Sequence, residues 1–258
     1  AVPADRTAAP SAAPMLMLPD MPRVQAAASP ESAPSPLLGT HEAQREAVRL
    51  AAAAMTLDDL QAAIRNFEPI AIRKTATNMV FSDGNPEAPV MLVGEAPGAD
   101  EDRQGKPFVG VSGQLLDRIL ACIDLDRKQS DPSRAVYISN ILNWRPPGNR
   151  TPSPAEIALS LPFIERHIQL IRPKILILCG GVSAKALLGR DESISRLRKS
   201  WQTYTLQTSG LEAGHQDIPA LATYHPAYLL RTPTQKRAVW ADMLAVQEKR
   251  RALALLST

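Results

Sequence analysis

The sequence predicts an α/β protein, a three-layer α/β/α domain around a central, mainly parallel sheet. Two observations carry this. Apolar runs of four to six residues alternate with segments of helical periodicity, the pattern of parallel strands covered on both faces. The ends of four such runs carry glycine, asparagine, serine, histidine or carboxylates, and open α/β sheets place ligands at the carboxyl ends of their strands.

Taken in chain order, residues 1–40 are dominated by Ala, Pro, Ser and Met, and their prolines interrupt any helix. With few large apolar groups to bury, they read as a disordered tail. A helical segment, 41–66, follows. One helix is expected from about His41 to Met55. A second starts at the N-cap Thr56, has Asp58 and Asp59 in its first turn, and ends near Asn66. The main domain is expected over 67–258. Its strand candidates are Met79–Phe81, Val90–Val93, Val136–Asn140, Ile175–Cys179 and Ala220–Thr223. Its helix candidates are Ser112–Ile123, Pro154–Arg172, Val182–Leu188 and Gln235–Leu256.

Composition bounds the function. An apolar content of 45% supports a real core, and a formal charge of +3 does not by itself announce a polyanion partner. Cations are nonetheless placed in loops: Arg145, Arg150, Arg231, Lys236 and Arg237 lie in or beside stretches of Pro, Gly and Asn. The two cysteines, Cys122 and Cys179, sit in apolar contexts and suit free thiols in a reducing compartment. No cysteine or histidine spacing suggests zinc, no apolar run is long enough to span a membrane, and no basic region precedes an apolar stretch near the N-terminus. A cytoplasmic monomer is the expectation.

The richest segment is Gly94-Glu95-Ala96-Pro97-Gly98-Ala99-Asp100-Glu101-Asp102, where the Val90–Val93 run empties into a turn carrying several carboxylates. Glycines let a backbone approach a ligand closely, and acids can position water or stabilise a cation. Asp100 and Asp102 also suit a plain role as exposed loop or helix-cap acids. The other exits hold Asn140, then Gly180-Gly181-Val182-Ser183, then Tyr224-His225-Pro226.

Three stretches of this chain resemble family 4 uracil-DNA glycosylases: 74–120 with GEAPGADED and GKPFVG, 136–157 with RPPGNR, and 223–231 with HPAYLL. The likeness runs from about residue 56 to about residue 250 and leaves out the tail. It implies cleavage of the bond between deoxyribose and uracil in DNA, releasing the base and leaving an abasic site, with no lyase step. Such a site must hold a flipped base, favour negative charge on the departing uracil, and present water to a cationic sugar.

On the matching positions, the resemblance makes Phe108 the aromatic that stacks on the base and Asn140 the residue that reads it. It makes His225 the hydrogen-bond donor to the uracil carbonyl. Glu95 and Glu101 match the motif carboxylates, one to orient water or stabilise the sugar cation and the other to build the pocket; their spacing does not say which. Gly94, Ala96, Pro97 and Gly98 complete the base-binding wall, and Ala96 stands where related family 1 enzymes carry a water-activating Asp. DNA contacts are expected from Gly181 and Ser183 at a helix start, and from Tyr228, Leu229, Leu230 and Arg231 as an apolar wedge with an adjacent cation. Leu229 and Leu230 fit a core role equally.

One part of the family pattern is missing. Most family 4 enzymes hold a four-iron, four-sulfur cluster on four cysteines, and those positions here are Phe67, Ile70, Trp144 and Ser160. Without thiolates no cluster is expected. Phe67, Ile70 and Trp144 read instead as an apolar plug in that volume, worth roughly 1.5–3 kcal/mol per buried side chain. The expected partner is uracil-containing DNA, with a repair or replication protein as a second partner through the tail. The alternative reading is a catalytically inactive DNA-binding or scaffold member of the same superfamily. A nucleotide-binding hydrolase of another kind is disfavoured because the chain has no P-loop.

Overall fold

The structure, a computed structural model, describes residues 38–213 and 216–256. The tail expected over 1–40 therefore lies almost wholly outside the described residues, as does its partner-binding role. The helix expected at His41 already begins at Leu38 and runs to Ala53 as α1.

Six strands form one sheet in the order β1-β3-β2-β4-β6-β5. They are β1 (Asp83–Gly84), β2 (Val90–Gly94), β3 (Tyr137–Asn140), β4 (Ile175–Cys179), β5 (Gln202–Tyr204) and β6 (Ile218–Thr223). The four central strands are parallel, and β1 and β5 pair antiparallel at the edges. One expected strand is absent, and the two edge strands β1 and β5 were not expected. Met79–Phe81 is not a strand: the Val80 N–H donates to the Asn143 carbonyl, the Asn143 amide returns a bond to the Val80 carbonyl, and the Ser139 hydroxyl takes the Phe81 carbonyl. A loop and two side chains thus satisfy groups that a ladder would have used. Strand β5, a polar triplet, carried no apolar signal.

The helices follow the periodic segments. Helix α2 (Leu57–Asn66) is closed by a reciprocal capping box: the Asp59 N–H donates to Thr56 Oγ1 and the Thr56 N–H to the Asp59 carboxylate. Helices α3 (Ala99–Gln104) and α4 (Val111–Ala121) lie between β2 and β3. Helix α5 (Pro154–Ile171) starts on a Ser153–Glu156 capping box and crosses from β3 to β4. Helix α6 (Gly181–Leu188) and the single turn α7 (Ile194–Leu197) follow β4; α8 (Pro226–Arg231) and α9 (Lys236–Ala252) follow β6.

Alternation along the buried strands divides the core in two. Met91, Val93, Tyr137, Leu176, Leu178, Ala220 and Ala222 face one layer with Leu159, Phe163, Ile164 and Ile168 of α5 and Ala184 and Leu187 of α6. Ala47 and Ala51 of α1 and Leu60 and Ile64 of α2 belong to that layer, so the N-terminal helices share the core of the main domain. Val90, Leu92, Ile138, Ile175, Ile177 and Leu221 face the other layer, with Leu116 and Leu120 of α4, Leu229 of α8, and Val239, Met243 and Val246 of α9. Strands buried on both faces are the expected three-layer architecture.

Register brings the strand exits together. Gly94 pairs with Asn140, Val93 with Leu178, and Cys179 with Thr223. The chain leaves β2 to pair on one side with β3, then returns through α5 to pair on the other side with β4. That reversal puts the crevice at the end of β2. No helix among the described residues is long and apolar enough to cross a membrane.

Candidate active site

The segment after β2 is a turn that winds into α3, an element too short to show periodicity in the sequence. Gly94 ends the strand because nothing larger fits: a Cβ there would lie 2.4 Å from Asn140 Oδ1 and 2.5 Å from Phe108 Cζ. Glu95, Ala96, Pro97 and Gly98 continue from it along one wall of a cleft of about 470 Å³.

The structure separates the two glutamates. Both oxygens of Glu101 are engaged by backbone donors: the N–H of Gly98 at 3.1 Å on one, those of Val109 and Gly110 at 2.8 and 2.9 Å on the other. Glu101 is buried and ties the start of α3 to the Phe108 turn. The Glu95 carboxylate faces the cleft with no hydrogen bond from the described residues, and burial raises its pKa above the usual carboxylate value. Asp100 is the exposed helix acid expected of it, paired with Arg103. Asp102 differs from that expectation: it is buried and accepts the N–H groups of Thr77 and Asn78 at 2.8 and 3.0 Å.

Phe108, Asn140 and His225 meet across the cleft. Phe108 adopts φ 53°, a left-handed conformation uncommon for a bulky residue. Its ring stacks on the His225 imidazole with centroids 5.4 Å apart and planes 29° from parallel. Gly113 accommodates this turn, since a Cβ there would fall 1.8 Å from the Phe108 carbonyl oxygen. Asn140 ends β3 almost fully buried, and its Oδ1 has no hydrogen-bond partner among the described residues. A buried amide oxygen left unsatisfied normally costs on the order of 1–3 kcal/mol, so a ligand donor is the natural partner for it.

His225 is the N-cap of α8. Its Nδ1 accepts the Ala227 N–H at 3.2 Å, which assigns the ring proton to Nε2. Burial lowers its pKa to about 4, Arg231 pushes the same way, and Glu101 opposes them. The ring is therefore neutral near pH 7 and offers one Nε2–H.

On the rim, Tyr228 and Arg231 line the cleft and Leu230 is 44% exposed. Two expected DNA contacts turn inward instead. Leu229 is fully buried between α4 and α9, so it belongs to the core and not to an exposed wedge. Ser183 is fully buried and donates its hydroxyl to the Gly180 carbonyl at 3.1 Å, leaving only the partly exposed Gly181 at that helix start. Ser112, Pro146, Asn149, Arg150 and Ala227 also line the cleft. Of these, Arg150 and its Pro-Gly-Asn loop carried a sequence signal, whereas Ser112 and Ala227 carried none. Arg150 is held by a two-pronged pair with Glu156, and Arg145 donates to Asn149 Oδ1 at 2.7 Å.

The four positions that would hold an iron–sulfur cluster are all buried. Phe67, Ile70, Trp144 and Ser160 are each less than 9% exposed, the first three belong to one apolar layer, and Phe67 meets Phe163 edge-on at 5.2 Å. None of these side chains can supply a thiolate, so these residues do not fit a sulfur-ligated cluster. Among the described residues no group of three or more His, Cys, Asp or Glu is placed to hold a metal ion.

Comparison with known proteins shows what this chain is similar to. The model of the uracil DNA glycosylase superfamily matches residues 81–244. The type-4 uracil-DNA glycosylase of Archaeoglobus fulgidus is 34% identical over 197 residues, covering 75% of this chain and 92% of that protein. That of Pyrobaculum aerophilum is 36% identical over 194 residues, covering 73% and 92%. The type-5 uracil-DNA glycosylase of Thermus thermophilus is 30% identical over 155 residues, covering 55% of this chain and 66% of that protein.

Proposed function

This chain belongs to the uracil DNA glycosylase superfamily, and from that premise we infer that it hydrolyses the N-glycosidic bond of deoxyuridine in DNA, releasing uracil and leaving an abasic site for base excision repair. The observation that carries the reading is the unpartnered Oδ1 of buried Asn140, in a cleft that also presents the Phe108 ring and the His225 Nε2–H.

Each group has a defined task. The flipped uracil stacks against Phe108. Asn140 Oδ1 accepts from the uracil N3–H while the amide donates to the neighbouring carbonyl; cytosine would set an acceptor against the acceptor and a donor against the donor. As the glycosidic bond lengthens, the His225 Nε2–H donates to a uracil carbonyl that gains anionic character. Its neutral form can do this across the whole physiological range. Glu95, free of protein partners, takes the water and sugar-cation role; Glu101 takes the building role, holding the turn that carries Phe108. Gly94, Ala96, Pro97 and Gly98 form the wall against the base. The product sugar keeps its C1′ hydroxyl, and no lysine lines the cleft to form a Schiff base, in keeping with a monofunctional enzyme.

Arg231, Leu230 and Tyr228 serve as DNA contacts beside the cleft, together with backbone N–H groups near Gly181. We assign no DNA contact to Leu229 or Ser183. The protein also works without an iron–sulfur cluster: Phe67, Ile70 and Trp144 support the same region of the fold by apolar burial.

The test is incubation with an oligonucleotide holding one deoxyuridine, followed by alkali. The intact protein should give strand scission at the uracil position, and His225→Ala should lose roughly 10²–10³-fold in rate. Binding of uracil DNA without scission would instead identify an inactive binding member of the superfamily. Protein purified without air should hold no stoichiometric iron and show no absorbance band near ~400 nm, the region of cluster absorption.

A further inference from the structure

Arg127 lies outside the cleft, in the loop between α4 and β3, and its side chain is 5% exposed. A buried guanidinium needs partners for its donors. Its Nη1 donates to the Pro107 carbonyl at 2.7 Å and its Nη2 to the Phe108 carbonyl at 3.0 Å. Its Nε donates to Asp117 Oδ1 at 2.9 Å, and Nη1 lies 3.3 Å from Asp83 Oδ2. Two carboxylates, on α4 and β1, anchor the cation while its two outer nitrogens take consecutive carbonyls.

Those carbonyls flank one residue. The plane of the 107–108 peptide turns with φ of Phe108, and the plane of the 108–109 peptide turns with its ψ. A rigid fork that holds both oxygens therefore holds the backbone conformation of Phe108 itself. That conformation is the left-handed one, which is unfavourable for an L-residue because Cβ crowds the backbone. Relaxing it would swing Cβ and carry the ring away from His225.

We propose that Arg127 is a positioning residue for base excision: it clamps the Pro107–Phe108 turn so that the Phe108 ring stands over the base pocket and against His225. The inference rests on the reading of Phe108 as the base-stacking wall. Lysine cannot replace Arg127, because one ammonium cannot span both carbonyls and both carboxylates.

The role separates from simple support of the fold by a second readout. The Phe108 ring shields His225, whose charged neighbours are Glu95 and Glu101 from the β2 exit and α3 and Arg231 from α8. If Arg127 acts through Phe108, loosening the clamp lets water reach the imidazole. Its titration then moves up from about 4 toward the ordinary value.

The experiment compares the full chain with Arg127→Lys, Phe108→Ala and the double variant. It measures single-turnover uracil release from a deoxyuridine oligonucleotide, affinity for an oligonucleotide with a tetrahydrofuran abasic site, the NMR titration of His225, and the melting temperature. Arg127→Lys should lose roughly 10- to 100-fold in excision rate, the scale of a misplaced positioning group. It should keep abasic-site affinity within about twofold of the intact chain. The His225 midpoint should rise, and the double variant should be no slower than Phe108→Ala. Additive rate losses, or an unmoved His225 midpoint beside a slower rate, would overturn the proposal. Wild-type excision by Arg127→Lys beside a slow Phe108→Ala would overturn it alone; wild-type excision by Phe108→Ala would overturn the stacking reading beneath it. Should Arg127→Lys not fold, Asp117→Asn loosens the more exposed anchor and should show the same pattern at roughly twofold or more.

Discussion

Glu95 and Glu101 stand six positions apart in the sequence and are chemically identical, yet their surroundings differ: one faces the cleft and the other is tied to backbone donors. Glu101 accepts three backbone N–H groups, so Glu101→Gln leaves donors facing an amide nitrogen. It should destabilise the fold by about 1–3 kcal/mol, read as a fall in melting temperature, along with lower activity. Glu95→Gln removes a charge that no protein group satisfies; it should cut the excision rate and leave the melting temperature within about a degree of the parent. A stable, slow Glu101→Gln beside an unstable Glu95→Gln would reverse the assignment. The sequence placed both acids at a strand exit but could not rank them, because the ranking depends on N–H groups at 98, 109 and 110 converging through a turn of the chain. Asp102 was misread for the same reason: its partners, Thr77 and Asn78, lie about 25 residues away. Leu229 stayed open and Ser183 turned out buried because in a helix of six or eight residues one step in register decides between solvent and core.

At the scale of elements, long periodic segments were legible and short ones were not. Helices α2, α5 and α9 and strands β2, β4 and β6 appear within a few residues of their expected bounds, since each buries a continuous apolar face. Helices α3, α7 and α8 and strand β5 are three to six residues long, too short for a period to show. Strand β1 pairs through only two residues, set there by contacts with β3. The packing of α1 on α5 makes a direct prediction. Ala47 and Ala51 are fully buried against that layer, so the helices approach where only a methyl fits. Ala51→Leu should cost about 1–3 kcal/mol by overpacking, measured by urea denaturation. An unchanged midpoint would mean that α1 is not part of the cooperative core. At the other side of the sheet, Gly94→Ala places a methyl against Asn140 and Phe108. Excision should fall by roughly 10²-fold while the far-ultraviolet circular dichroism stays that of the parent.

For the whole molecule, two histidines, His167 buried and His225 half-buried at the cleft, shape the response to acid. His167 stacks on Phe81 at 4.4 Å and shares a 2.9 Å hydrogen bond with the Tyr137 hydroxyl. Burial lowers its pKa to about 3, and that of His225 to about 4. Both sit below the unfolded value of about 6.5, so the unfolded chain binds protons that the folded chain refuses. Their stabilising contribution is intact above about pH 6.5 and falls as pH drops, down to about 4 for His225 and about 3 for His167. The Arg150–Glu156 pair adds a second loss at lower pH: the guanidinium holds the Glu156 carboxyl down at about 2, so that term fades between its ordinary value and 2. Urea midpoints should therefore decline from pH 6.5 to 5, and His167→Gln should flatten that limb. A wild-type midpoint constant over the same range would contradict the buried-neutral assignment.

Asn140 carries the proposed base reading, and its buried Oδ1 has no partner among the described residues. The most direct measurement is single-turnover base release from paired oligonucleotides that differ only in one deoxyuridine or one deoxycytidine, with the intact chain and with Asn140→Ala. The intact chain should release uracil and leave cytosine in place, and Asn140→Ala should lose roughly 10²–10³-fold on uracil. Equal release of both bases, or uracil release undiminished in Asn140→Ala, would contradict the assignment of base reading to this residue.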